Sequence, residues 1–388
     1  MRWRKSSSAS LKDVAGQTVL IAAFSGRALA QSARRAGYEP LVADAFGDLD
    51  TKEAAASVQV IDGAMATGFR TKPLIAALGA LATSAATPPV GLVLGSGFED
   101  KPRLIAALAS RYSLLGNDAA KYNACKDPGT FFRKLDELGI AHPETHSAPP
   151  ANPNGWLTKR IGGSGGRHIR ICRPDATRRN RRYFQKQLDG DRVSVGGIFS
   201  AEEARLALTR QWLTPSAEQP FRFGGAVSMP EIDSTLRRAL EDAVRNVASA
   251  FKLVGMASFD FIVVEGTPHL LEVNPRPGAS LDVLDDGRGW QFQAHIAACA
   301  GAPQPVESRQ FRNARAMAIL HADRAPLTLG EMDWPDWSVD RGPPGTFVPK
   351  GAPLASVFAE APTADEAERL ARTRLAELED LIYEHAQS

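Results

Sequence analysis

Phe259-Asp260-Phe261, followed twelve residues after Asp260 by Glu272-Val273-Asn274-Pro275-Arg276-Pro277-Gly278, decides the reading of this chain. Met256 to Val264 and His269 to Val273 read as strands, and Glu265-Gly266-Thr267-Pro268 between them holds the Gly and Pro that turns use. A turn centred on Gly266 sets Asp260 opposite Glu272. Strand alternation puts Glu272 and Asn274 on one face, about 7 Å apart, and Asp260 projects from that face too. Opposed like charges in an apolar hairpin are destabilising unless something positive sits between them. Two acids and an amide oxygen suit a hard cation, so Asp260, Glu272 and Asn274 form the candidate metal set. Magnesium takes oxygen ligands and fills its other positions with water and nucleotide phosphates, which makes ATP the expected cofactor. The plainer alternative, an exposed edge with solvated acids, is opposed by Phe259, Phe261, Ile262, Val263, Leu270, Leu271 and Val273 around them. Arg276, between two prolines just past the strand, is expected over the same site, where a planar fork grips phosphate or carboxylate.

The bulk properties permit this and decide little else. The 388 residues are 44% hydrophobic and 23% charged, enough for two or three domains with real cores, and the formal net charge is only +2. Cys125, Cys172 and Cys299 are odd in number and far apart, which argues against a disulfide framework or a cysteine metal cluster and fits a cytoplasmic protein. Residues 1–16 read as a disordered start: Met1 to Ser8 is basic and polar without the apolar run of a secretory signal. No stretch is long enough to span a membrane.

From Thr18 to about Gly116, short apolar runs alternate with helical segments: Val19 to Phe24, Arg27 to Ala36, Leu41 to Ala43, Val58 to Ile61, Lys72 to Thr83, Gly91 to Leu94 and Pro102 to Ser110. That alternation predicts a parallel sheet with crossover helices. Ser25-Gly26-Arg27 after the first strand has one glycine where a dinucleotide fingerprint needs three, so a nicotinamide cofactor is not expected and Asp44 is read as a loop residue or a substrate contact. Asp127-Pro128, then Phe131, Phe132, Leu135 and Leu138, then Gly139, predicts a capped helix. Thr363-Ala364-Asp365-Glu366 predicts a capping box opening the last helix, and Arg309 to Ala359 reads as short strands between Gly/Pro turns.

Lys159-Arg160-Ile161-Gly162-Gly163-Ser164-Gly165-Gly166-Arg167 places four glycines between two strand-like segments. Such a loop can fold over a phosphate chain and offer bare N–H groups, with Lys159 as a point charge at its root. It is not a Walker loop, because the lysine precedes the glycines; alone, it reads equally well as a flexible hairpin tip. Arg167 to Lys186 is strongly basic. This suits an acidic substrate or, equally, a solvated basic loop; nucleic acid is not expected, since only Tyr183 and Phe184 interleave the charges. His168, His269 and His321 read as structural or surface residues.

Taken in order, the Lys159 strand with its Gly-rich loop, Tyr183-Phe184-Gln185-Lys186-Gln187-Leu188-Asp189-Gly190 and the Asp260 to Arg276 hairpin resemble the ATP-grasp enzymes of the carboxylate-amine ligase type. The resemblance implies an α/β, ATP-grasp fold: an N-terminal Rossmann-like domain over 17–117, an ATP-grasp domain of two lobes over 118–305, and a small C-terminal β-rich lobe closed by a helix over 306–388. It implies that Lys126 and Lys159 contact the α- and β-phosphates under Gly162, Gly163, Ser164, Gly165 and Gly166. Gln185, Lys186, Gln187 and Leu188 would form the hinge at adenine, Asp191 would meet ribose, and Asp260, Glu272 and Asn274 would hold Mg2+. Arg276, with Lys159, would stabilise the phosphoryl group in transfer. Lys186 stands where the hinge often carries a glutamate. The implied reaction converts a small-molecule acid to an acyl phosphate and joins it to an amine, in a homodimer as in many relatives. The short N-terminal domain and the Glu-x-Asn-Pro-Arg-Pro tail are similar to the tyramine-glutamate ligases of methanofuran-type coenzyme assembly, and the charge of the basic segment would suit a glutamate-bearing substrate. Two alternatives stay open: a bicarbonate-activating carboxylase-like enzyme, suggested by Gly351 to Val357, and a nucleotide-binding protein without turnover.

Overall fold

The computed structural model describes residues 16–176, 181–201, 203–229, 231–285, 287–301 and 313–386. The expected disordered start, except Gly16, lies outside the described residues. So do Arg178 and Arg179 of the basic segment and the expected boundary between 305 and 306.

The N-terminal alternation folds as β1 (Thr18–Ala22), α1 (Arg27–Arg35), β2 (Glu39–Asp44), α2 (Leu49–Ala54), β3 (Ser57–Val60), α3 (Ala64–Thr67), α4 (Thr71–Ser84), β4 (Leu92–Leu94) and α5 (Pro102–Ala109). The strands lie parallel in the order β3-β2-β1-β4. Val19, Leu20, Ile21 and Ala22 of β1 are fully buried, as expected for a continuous apolar strand covered on both faces. Gly26 is there for packing: a Cβ on it would stand 2.4 Å from Val42 Cγ1. Asp44 ends β2 and is wholly buried, accepting from the N–H groups of Gly26 and Gly47 at 3.2 and 2.9 Å. It is therefore a turn anchor.

Next come α6 (Ala119–Lys126) and α7 (Pro128–Leu138), the latter capped by the Asp127 carboxylate on Thr130 N and stopped by left-handed Gly139. Strands β5 (Thr145–His146), β6 (Trp156–Arg160), β7 (Ile169–Ile171) and β8 (Arg182–Lys186) form an antiparallel sheet in the order β5-β8-β6-β7. The remaining strands, apart from a two-stranded β15-β17 sheet near the end, build one large sheet that begins with β9 (Asp191–Phe199), β10 (Ala204–Leu213), β11 (Phe223–Ser228), and, after α8 (Ser234–Ala250), β12 (Gly255–Val264) and β13 (Thr267–Asn274). Then follow α9 (Leu281–Leu284), α10 (Trp290–Cys299), β14 (Ala314–His321), β15 (Leu327–Thr328), β16 (Ser338–Val339), β17 (Phe347–Val348), β18 (Pro353–Ala361) and α11 (Ala364–Glu384).

Among the described residues the large sheet runs β13-β12-β9-β10-β11-β14-β18-β16. The C-terminal β-rich segment is closed by α11, whose Thr363/Glu366 capping box is formed as expected. Its strands continue the central sheet through the pairing of β14 with β11, Gly225 opposite Ala318. Consequently the floor beyond the hairpin is one surface from Glu272 to Ser356, roofed by the N-terminal loops and the Gly-rich loop. No helix among the described residues is long and apolar enough to cross a membrane.

Candidate active site

The hairpin reaches its expected pairing by an unexpected route. Its turn has two residues, Glu265 and Gly266, both with positive φ (47° and 80°), as a primed turn requires, and Thr267 and Pro268 belong to β13. Pro268 is tolerated because β13 is a sheet edge. That turn alone would set Asp260 opposite Leu271. A bulge between Phe261 and Asp260 takes up Leu271: Phe261 pairs with Leu270 and Asp260 with Glu272. The two carboxylates face each other because of that one extra residue.

Asn274 bridges them, its Nδ2 donating to Asp260 Oδ2 at 3.1 Å and to Glu272 Oε1 at 3.4 Å. Lys126, buried at the end of α6, donates from Nζ to Asn274 Oδ1 at 2.7 Å and lies 3.6 Å from Glu272 Oε2. Gln211 of β10 reaches Asp260 Oδ1 at 3.4 Å. Burial and the Glu272 charge push the Asp260 carboxyl up; burial acts the same way on Glu272, but Lys126, His168 and Lys159 hold it below the usual range. One acid is thus biased toward the proton and the other toward the charge.

Among the described residues no group of three or more His, Cys, Asp or Glu forms a metal cluster. Two carboxylates and an amide nevertheless fit magnesium, which commonly takes one or two carboxylates and completes its shell with phosphates and water. The Asn274 amide directs nitrogen at the acids, the orientation that satisfies them without a cation; a half-turn would present its oxygen. A cation bound between the acids would supply the drive for that turn.

Lys159, at the end of β6, is buried and donates to Gln185 Oε1 at 2.5 Å. Burial lowers its pKa to about 8, only partly offset by Glu272 and Asp260. The Gly-rich loop lies over the cleft. A Cβ on Gly162 would stand 2.7 Å from Asp100 Cβ, and one on Gly166, where φ is 73°, would stand 1.6 Å from the Phe221 carbonyl oxygen. Such approaches need glycine.

Lys159, Gly162 to Gly166, Asp260, Glu272, Asn274 and Arg276 line one cavity of about 860 Å³, and Lys126 lines a small adjoining one with Glu272 and His168. Of the expected hinge, Gln185 is buried with its side chain on Lys159 and Thr145, while Lys186 and Gln187 are exposed and Leu188 half-buried. Lys186 rides over the Trp156 ring at 5.6 Å, and Asp191 is an exposed residue opening β9. Lys186, Gln187, Leu188 and Asp191 are not among the residues that line either cavity. His168 does line both, between the loop and Glu272, a placement that its reading as a structural or surface residue does not include.

Arg276 is buried and bound to a residue absent from the sequence expectation. Its Nε and Nη2 donate to Glu99 Oε1 at 2.8 and 2.5 Å, and Nη1 donates to the Pro277 carbonyl at 2.9 Å. Glu99 is itself fixed by Gly97 N at 2.8 Å; burial would push its carboxyl up, but Arg276 and Lys126 hold it below the usual range. A signal existed: Glu99 follows β4, at the carboxyl end of a parallel strand, where α/β sheets gather their ligands. At the far end of the cavity buried Arg27 donates a bidentate pair of hydrogen bonds to the Asp282 carboxylate, both at 2.6 Å, and a further one from Nε to Asp340 Oδ1 at 2.8 Å, tying α1, α9 and the turn after β16 together.

Residues 125–280 match the family model of the ATP-grasp domain. Solved structures share the architecture over nearly the whole chain. A biotin carboxylase–βγ-ATP complex from Campylobacter jejuni superposes with a TM-score of 0.71 at 14% identity, covering 96% of this chain and 91% of that one. An N5-carboxyaminoimidazole synthetase from Staphylococcus aureus complexed with ADP gives 0.65 at 14%, covering 95% and 100%. An L-amino acid ligase from Bacillus licheniformis gives 0.64 at 16%, covering 95% and 98%. The fold is therefore ATP-grasp, and at these identities the likeness extends to the fold alone.

Proposed function

We propose that the protein is an ATP- and magnesium-dependent ligase that activates a carboxylate as its acyl phosphate and joins it to an amine. The observation that carries this is the opposed Asp260–Glu272 pair, held with Asn274 and Lys159 beneath a glycine loop in one cavity, with Lys126 bonded to Asn274 from the small cavity beside it. Such a pair costs stability unless a cation occupies it. Asp260, Glu272 and Asn274 would hold the magnesium, which when bound offsets charge on the transferring phosphoryl group. Lys126 and Lys159 neutralise the phosphate chain, and the loop amides and Arg276 lie where the transferred group would pass. A carboxylate oxygen of the acid attacks the γ-phosphorus and ADP leaves. The amine then attacks the acyl carbon, phosphate departs, and the nitrogen gives up a proton to form the amide. The closed loop keeps water from the activated acid.

Within this class we propose an amino-acid substrate bearing glutamate, of the kind joined in methanofuran-type coenzyme assembly. Arg160, Arg167, Arg170, Arg182 and Arg192 all line the cavity, more positive charge than a magnesium nucleotide alone calls for. A second reading, bicarbonate activation, is favoured by the whole-chain likeness to the carboxylase and the carboxyaminoimidazole synthetase.

The test is ADP release by the purified protein across acids, amines and bicarbonate, with Asp260→Ala and Glu272→Ala as controls. Release that needs an acid and an amine together supports ligation, and release that needs bicarbonate selects the second reading. Tight nucleotide binding with no release under any condition would leave a binding protein and remove both.

A further inference from the structure

The cavity has a second charged corner, across the sheet from the acid pair. Met317 and Ile319 of β14, Leu213 of β10 and Phe223 of β11 give the floor an apolar stretch beyond Gln211. Past it stand His321, at the end of β14, with Gln219 and Arg222 of the segment before β11. His321 is 8% exposed, and its Nδ1 is buried without a hydrogen-bond partner, as is Gln219 Oε1. Buried polar atoms left unpaired cost about 1–3 kcal/mol each, and in a cavity wall a bound ligand is the natural partner.

The charge decides the ligand's sign. Arg222 lies behind the corner, 2% exposed, with both terminal nitrogens on Asp323, which neutralises it. Arg167 is not neutralised: it lines the cavity, acts on His321 as a cation, and has no carboxylate partner among the described residues. The Gly-rich loop brings it there. Phe223 N–H donates to the Gly165 carbonyl at 3.3 Å, and Gly166 touches the Phe221 carbonyl, so the loop's exit is laid against the start of β11, away from the acid pair. Lys350 adds positive charge near Asp323.

We infer that Arg167, Gln219 and His321 form a subsite for an anionic group, carboxylate or phosphate, on the substrate's end remote from the carboxylate that is activated. The inference rests on the ligase reading for which carboxylate reacts, but the subsite itself does not. Arg167 supplies the fork; Gln219 gives an amide N–H once its side-chain amide is turned end for end, since the unpaired atom is the acceptor Oε1, and His321 gives Nδ1–H in the tautomer protonated there. The apolar floor between the two ends selects an acid whose charged groups are separated by a short hydrocarbon spacer.

Two measurements separate this subsite from the reaction. With Mg·ADP present, titration calorimetry with inorganic phosphate is expected to show saturable binding that weakens tenfold or more in Arg167→Gln and in His321→Phe. Arg167 is exposed, so Arg167→Gln carries the test should His321→Phe fold poorly. No phosphate binding, or binding unchanged in Arg167→Gln, overturns the subsite. In turnover, glutarate and 4-phosphonobutyrate are compared with glutaramate, which keeps the shape and loses the remote charge. The expected result is ADP release with one or both charged acids, a KM at least tenfold lower than for glutaramate, and a KM for ATP that stays within twofold in Arg167→Gln. Equal KM values for charged and neutral acids overturn the remote-charge assignment. Phosphate binding that responds to Arg167→Gln, with no acid supporting release, keeps the subsite and removes the ligase reading.

Discussion

Glu99 and Arg276 are joined across the boundary between the parallel sheet and the hairpin, with both guanidinium donors of one edge on a single carboxylate oxygen at 2.8 and 2.5 Å. Both side chains are less than a tenth exposed, so neither charge has water to turn to. Removing one partner of a buried pair costs about 3–5 kcal/mol, because the other is left charged and unpaired. Glu99→Ala is expected to destabilise the protein by about that much in urea denaturation. Glu99→Ala with Arg276→Met should recover most of the loss, and a double-mutant cycle with no coupling would refute the pairing.

Asp260 and Glu272 predict the opposite sign. Asp260→Asn removes a like charge from a buried pair while keeping an acceptor for the Asn274 amide. Stability without metal is expected to rise by about 0.5–1 kcal/mol, while ADP release and its magnesium dependence are lost. Denaturation in EDTA beside an activity assay checks both, and a fall in stability would mean that the acid is structural.

The hairpin and the parallel sheet were the legible parts, because each rests on local pattern: opposed acids around a glycine turn, and apolar runs alternating with helical ones. The centring on Gly266 reached the right pair through two compensating departures, a shorter turn and the bulge at Leu271. A bulge leaves little trace in composition, since Leu271 differs little from its neighbours. Glu99 was illegible for another reason: it is 177 residues from Arg276, and only packing brings the two together. The attachment of β14 to β11 is non-local in the same way. The hinge positions Lys186 to Leu188 and Asp191 followed from resemblance; Lys186 rides over Trp156, Gln187 and Asp191 are exposed and Leu188 is half-buried.

His295 gives the fold a pH dependence away from the acid pair. Its Nδ1 accepts from Met256 N–H at 2.8 Å, so Nε2 carries the proton toward the Leu115 carbonyl at 3.0 Å and the ring is neutral. Burial pushes its pKa down to about 4, against about 6.5 in an unfolded chain. The unfolded state therefore binds the extra proton first. Stability is fully present above pH 6.5 and falls as pH drops toward 4, by roughly 3 kcal/mol from this residue. Urea denaturation between pH 7.5 and 4.5 should show the fall, and His295→Gln should flatten it; an unchanged slope would assign the effect elsewhere.

Gly166 tests whether the loop must lie down for the nucleotide to be held. A Cβ there would meet the Phe221 carbonyl at 1.6 Å, while at Gly165 the nearest 4 Å are empty; the two share a left-handed φ of 73° and 63°. Alanine at either position therefore carries a similar backbone penalty of about 1 kcal/mol, and only Gly166→Ala also collides with backbone. If the closed loop contributes N–H groups to the phosphates, Gly166→Ala should weaken Mg·ATP binding by tenfold or more and Gly165→Ala by only a few fold. Because the loop is peripheral to the core, neither should change the urea midpoint greatly. Titration calorimetry with a non-hydrolysable ATP analogue reads the difference, and equal losses in the two variants would show that backbone strain, rather than closure onto Phe221, sets the affinity.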